Sequence, residues 1–257
     1  MKTALILFAI AILSTSSGKK CYNSLEEYNL KGHVKSVVNK EYIVSAGKEY
    51  VRHNDIAWYD VAGNVVVDSS LSHDTIFLPV RHAYKYNESG RRTEQLQLVS
   101  PGEQPGWKTL FTYDKDGFLS ETNRYHPNGG LMQRVIFRYD ESGNNTEQYS
   151  YSSDGKPNGI EVRRYDENGN LVQSNDYSID AQYGSKYAVQ YSSKGNLLST
   201  VEEHFGDSMQ TTVRHCRKAR YSGTSYDAKG NWIKTTRITD GGWYIDTAIV
   251  KRTITYY

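Results

Sequence analysis

The chain is short of aliphatic residues and of excess charge. Leu, Ile, Val and Phe make up about a fifth of its 257 residues, close to the ~20% level below which chains tend to stay unfolded. Lys and Arg number 31 against 29 Asp and Glu, a net charge of +2. That balance excludes the one-signed footprint of a nucleic-acid or membrane-surface binder. Thiols are confined to Cys21 and Cys216. Beyond the run 4–13 no stretch is apolar enough to span a membrane, and that run is about half the ~20 residues a spanning helix needs. No histidine pair has the i, i+4 spacing of a hydrolytic zinc helix, and there is no Gly-rich phosphate loop, Gly-x-Ser-x-Gly elbow or paired-carboxylate motif. The adjacency of His215 and Cys216 makes no nucleophile pair, because neighbours on a strand face opposite sides. No catalytic residue, metal ligand or cofactor is assigned. Tyrosine, in contrast, is abundant at 22 residues, alongside 4 Trp. Aromatic richness with low net charge is the reverse of a disordered composition and implies an ordered protein with a thin, tyrosine-rich core.

The N-terminus reads as a secretory signal peptide over residues 1–18: Lys2, the apolar run Ala4 to Leu13, then the small residues Ser14 to Gly18. Gly18 and Lys20 occupy the places where a lipoprotein signal wants an apolar and a small residue, which argues against a lipid anchor at Cys21. Export to an oxidising compartment makes Cys21 and Cys216 candidates for a disulfide. The expected location is the periplasm, the outer surface or the medium.

A repeat organises the remainder. Tyr, then Asp, Asn or Ser, two variable residues and Gly recur as Tyr59 with Gly63, Tyr86 with Gly90, Tyr113-Asp114 with Gly117, and Tyr139-Asp140 with Gly143. The series continues as Tyr165-Asp166 with Gly169, Tyr191 with Gly195, and Tyr226-Asp227 with Gly230. The tyrosines lie 27, 27, 26, 26, 26 and 35 residues apart, and Asn follows the Gly in five of the seven copies. The second residue suits the first position of a type I turn, and a Gly three residues on takes the left-handed conformation of a G1 bulge. Each unit is therefore a hairpin turn. Asp114 and Asp116 suggest calcium, but turn formation accounts for both and a calcium loop needs more oxygen ligands.

A second turn fits within each period. Tyr125, Tyr151 and Tyr177 come twelve residues after a motif tyrosine and precede turn formers at Pro127 to Gly130, Asp154 to Gly155 with Pro157 to Gly159, and Asp180. The expected fold is all-β: an elongated, twisted antiparallel β-meander of about seven repeats of about 26 residues, two strands each. Residues 19–57 read as an N-terminal cap, 58–257 as the repeat domain, and Trp243 to Tyr257 as a closing strand.

The seven units resemble the YD repeats of rearrangement-hotspot and teneurin-like bacterial surface proteins over residues 57–240. The resemblance implies long β-sheets and, in large relatives, a shell around a toxin. This chain has too few repeats for such a shell and is more similar to small exported YD-repeat proteins of Bacteroidetes. The expected function is that of an exported cell-envelope scaffold, not an enzyme, binding a protein partner or a glycan through a sheet face. The alternatives are a toxin-associated or periplasmic immunity module and a polysaccharide-acting hydrolase. Aromatics outside the motif column are the partner-binding candidates: Trp107, Tyr149, Tyr151, Trp243 and Tyr244.

Overall fold

The computed structural model describes residues 30–45, 47–72, 80–99, 104–179, 184–193, 196–206, 213–242 and 245–257. Trp243, Tyr244, Cys21 and Gly195 lie outside the described residues, and so does the pairing of Cys21 with Cys216. The chain is all-β. Strands β1 (Val34–Ser45), β2 (Lys48–Tyr59), β3 (Val65–Ser72) and β4 (Val80–Tyr86) are followed by β5 (Arg92–Val99), β6 (Gln104–Tyr113), β7 (Leu119–Tyr125) and β8 (Leu131–Tyr139). Then come β9 (Asn145–Ser152), β10 (Pro157–Tyr165), β11 (Leu171–Ser178) and β12 (Gly184–Tyr191). The last are β13 (Leu197–Phe205), β14 (Val213–Tyr226), β15 (Trp232–Asp240) and β16 (Ile245–Tyr256). Among the described residues no helix is long and apolar enough to cross a membrane.

The turns form where the motif places them. At Asp140 the Gly143 amide donates to the Asp140 carbonyl at 3.0 Å, and Gly143 adopts φ of +83°. The Asp140 carboxylate takes the Asn144 backbone amide at 2.8 Å and its side-chain amide at 2.9 Å, which explains the recurrent Asn after the Gly. Asp166 and Asn170 repeat this at 2.8 and 2.9 Å. Four of the seven motif tyrosines clasp the preceding hairpin through their hydroxyls. Tyr86 donates to the Val65 carbonyl at 2.8 Å, Tyr113 to Arg92 at 2.8 Å, Tyr139 to Leu119 at 3.0 Å and Tyr165 to Asn145 at 2.8 Å. The second turns at His126 to Gly130 and Ser152 to Lys156 have the same hydrogen-bond pattern. Pro157 to Gly159, expected in a turn, begins β10 instead.

The open, elongated meander is corrected by the strand pairing. The sheet is a closed barrel in which β16 returns to β1, in register from Val34 opposite Tyr256 to Ile43 opposite Ala248. The residues expected to form a cap supply β1 and β2, and β1 is the closing strand. Each motif turn carries a bulge that bends its strand and adds right-handed twist, as at Arg138/Tyr139 and Gln190/Tyr191. Accumulated around the sheet, this curvature brings the two edges together, and pairing them removes two rows of unsatisfied amides and carbonyls. All motif turns lie on one rim, together with both ends of the described chain.

A hydrophobic cluster gathers at that rim. Leu30, Val34, Val37, Tyr59 and Val65 form the hydrophobic core, with Ala57, Tyr84, Ile254 and Tyr256 packed against it. The seam above is stitched by hydrogen bonds from the Lys31 amide to Asn231 Oδ1 at 2.7 Å and from the Asn231 side-chain amide to the Lys31 carbonyl at 2.9 Å. The Tyr257 hydroxyl donates to the Tyr59 carbonyl at 2.5 Å. Tyr256, in turn, donates to Asp227 of the last motif.

If the barrel is closed in solution, amides of Val37 to Ile43 and Ala248 to Ile254 exchange with solvent as slowly as those of β8 and β9. Hydrogen-exchange mass spectrometry reads this directly, and fast exchange along β1 would restore the open sheet.

Candidate functional site

Burial separates the two faces of the strands. Thr239, Ala219, Thr200 and Val189 lie opposite one another across β15 to β12 and are all buried, as are Glu41, Val250 and Thr235 across β1, β16 and β15. This is the inward face, and alternation assigns the rest. Outward, Lys40, Lys251 and Lys234 sit side by side on β1, β16 and β15.

The interior is polar, and its cations are arginines. Glu41, buried at 4% exposure, receives the guanidiniums of Arg52 and Arg237, the latter at 2.9 Å, and Arg52 also reaches Asp246 at 2.5 Å. Arg163 grips Glu161 with two bonds of 2.6 and 2.8 Å, the planar fork that makes arginine suit such pairs. Arg252, 5% exposed, has no carboxylate among the described residues; it stacks 3.6 Å above the Trp232 ring centroid and donates to Asn39 at 2.9 Å. Burial lowers its pKa to about 10.

Three inward histidines each lean on a carboxylate: His53 on Asp55 at 2.7 Å, His82 on Asp68 at 2.8 Å and His204 on Glu202 at 3.1 Å. Around His82 the wall is aromatic and cationic. The Asp68 carboxylate accepts the His82 Nδ1 proton and the Tyr84 hydroxyl, the latter at 2.5 Å. Trp107 lies between the His82 ring, 5.3 Å away, and the Arg124 guanidinium, 4.4 Å from its centroid. Arg92 covers Tyr84 at 4.6 Å.

The outer face carries a different feature on β8 to β11. Ile136, Tyr149, Ile160 and Tyr177 are direct cross-strand neighbours, all half-buried. At ~4.8 Å per strand they make an apolar row about 14 Å long. Beside it Tyr151 sits between Arg134 and Pro157. Tyr149 is pinned by a 2.8 Å bond to Glu147 and covered by Arg138 at 4.8 Å. The bond to Glu147 raises its pKa.

Of the partner-binding candidates, Tyr149 and Tyr151 therefore face outward on β9, whereas Trp107 faces the lumen. Cys216 faces outward opposite Glu203. Asp114 accepts the Asp116 and Phe118 amides at 3.0 and 2.8 Å and thus serves its own turn. Clefts of about 740 and 700 Å³ open between neighbouring motif turns. Of the carboxylates that line them, Asp140 and Asp166 are likewise occupied by their turns, and Glu167 is the third. Asp68, His82 and Arg124 escape motif reading. The available signal is parity: counting back in twos from Tyr86 reaches His82, and from Tyr113 reaches Trp107, on the tyrosines' own face.

No protein-family model matches the chain, and no curated protein sequence matches it. Among solved structures, a porin-like protein from Bacteroides uniformis superposes with a TM-score of 0.58 at 11% identity, over 86% of this chain and 98% of that one. A porin-like protein from Bacteroides vulgatus gives 0.36 at 11% identity, over 85% and 97%. The first of these likenesses supports the barrel fold; at the identity seen it says nothing more.

Two measurements test the interior. Glu41→Gln strands the Arg237 guanidinium and half of Arg52's pairing, and should cost about 3 kcal/mol in chemical denaturation; a loss under about 1 kcal/mol would mean the pairs are solvent-screened. The His53 pKa is raised chiefly by its hydrogen bond to Asp55. Its stabilising contribution is thus complete below the unfolded value of about 6.5 and fades as pH rises through the folded value. In NMR titration Asp55→Asn should move the His53 midpoint downward.

Proposed function

We propose that the protein is an exported cell-envelope interaction protein, a β-barrel whose outer face docks a protein partner or a glycan. The observation that carries this reading is the row Ile136, Tyr149, Ile160 and Tyr177, a rigid apolar strip on strands whose backbone is fully paired. Aromatic rings held on a flat sheet suit both sugar faces and apolar protein anchors. The signal-like N-terminus and the porin-like fold of the Bacteroides uniformis neighbour favour the envelope. Lys40, Lys251 and Lys234 in one outward row favour a barrel wetted outside, since a lysine at the bilayer midplane costs about 2–4 kcal/mol. The repeats resemble those of YD-repeat proteins, and we read the chain as one that wraps such repeats into a barrel. A hydrolase reading would rest on Glu161 and Asp176, which face each other across β10 and β11. Both Glu161 oxygens, however, are held by Arg163, and one also by Ser174 at 2.6 Å, so one member of the pair that a glycosidic mechanism needs is already engaged.

The mature chain, immobilised and probed with a glycan array and an envelope extract, should retain a specific partner. Tyr149→Ala with Tyr177→Ala should weaken that binding about tenfold or more without lowering the melting temperature by more than a few degrees. Undiminished binding by the double variant would overturn the assignment of this face.

A further inference from the structure

The lumen wall from β5 to β9 is one-sided in charge. Its acids, Glu94, Glu121 and Glu147, alternate outward, where they meet Lys85 at 2.9 Å, Arg134 at 2.6 Å and Arg138 at 3.6 Å. Inward, among the described residues, those strands present Arg92 and Arg124 and no carboxylate. Arg124 is the less compensated of the two. Its guanidinium meets the face of Trp107 and no carboxylate among the described residues, and burial lowers its pKa. Stacking on a ring uses the flat face of a guanidinium and leaves its in-plane N–H donors free for a planar, bidentate acceptor.

Two further groups around it lack partners. Thr109, directly opposite Arg124, is buried with its hydroxyl unbonded among the described residues, and so is His82 Nε2 on the far side of Trp107. Because Asp68 takes the Nδ1 proton, Nε2 of the neutral ring is an acceptor. Buried polar atoms left unpaired are costly, and a ligand that pairs them recovers that cost. We infer that this wall is a lumenal binding site for a hydroxy-carboxylate ligand, its carboxylate on Arg124 and its hydroxyls on Thr109 and His82 Nε2. Acidic saccharides and small hydroxy acids share this chemistry.

Titration calorimetry with trigalacturonate, gluconate and the neutral sugar maltotriose separates the sources. Binding of trigalacturonate alone assigns a saccharide, and binding of gluconate alone a small acid; binding of neither, or of maltotriose equally well, overturns the site. Arg124→Gln should weaken the acid ligand at least about tenfold, the usual scale for removing one partner of a buried charged contact. Arg124→Lys should fall between the two, and the outward control Arg134→Gln should bind as the parent does. Wild-type affinity in Arg124→Gln would also overturn the proposal. Should that variant not fold, Thr109→Val, which removes one hydroxyl, must weaken binding about threefold or more, and parent-like affinity sinks the idea. The Tyr149→Ala, Tyr177→Ala protein leaves the lumen intact, so failure of the outer docking face and failure of this site give different results.

Discussion

The pairing of β1 with β16 is the constraint on which the other features depend. A sheet of this many strands left open would expose two long edges of amides and carbonyls, each a template for aggregation. Joining Val34 through Ile43 to Ala248 through Tyr256 satisfies both edges at once and turns two equivalent sheet faces into an inside and an outside. Only after closure is there a lumen for Glu41 to be buried in or an exterior for Tyr149 to present. The cluster of Leu30, Val34, Val37, Tyr59 and Val65 lies beside this seam, with Ile254 and Tyr256 of β16 packed against it.

The tyrosines do what the missing aliphatics would do elsewhere. A motif tyrosine such as Tyr139 packs its ring against the barrel wall and donates its hydroxyl to the carbonyl of the preceding hairpin, so one side chain supplies both apolar area and directional register. The ladder pauses at Tyr191, whose hydroxyl is buried without a partner among the described residues and whose pKa burial pushes up to about 12. Charge also differs between the faces. Arginines pair with Glu41, Asp246 and Glu161 on the inside, whereas the outer face mixes lysines with arginines such as Arg134 and Arg138.

Much of the local structure was legible because it is written in contiguous residues. Tyr-Asp-x-x-Gly-Asn encodes a turn, its bulge and the cap on its own amides, and the turns at Asp60, Asp140 and Asp166 form accordingly. The second turn at Pro127 to Gly130 was equally visible. Trp107, a partner-binding candidate outside the motif column, is set by strand parity: its even spacing from Tyr113 puts it inward against Arg124. Asp68, His82 and Arg124 come from β3, β4 and β7, and no spacing within one segment announces that they will share a wall.

The sequence by itself determined the repeat, the hairpin geometry of each motif and the all-β class, because turn chemistry acts over a few residues. The tertiary structure alone decided that the sheet closes, which face becomes the lumen and which side chains meet there. Closure joins residues more than 200 positions apart through backbone hydrogen bonds that any side chain can accompany, so it leaves no local mark. Small increments of twist at each bulge, summed around the ring, settle it.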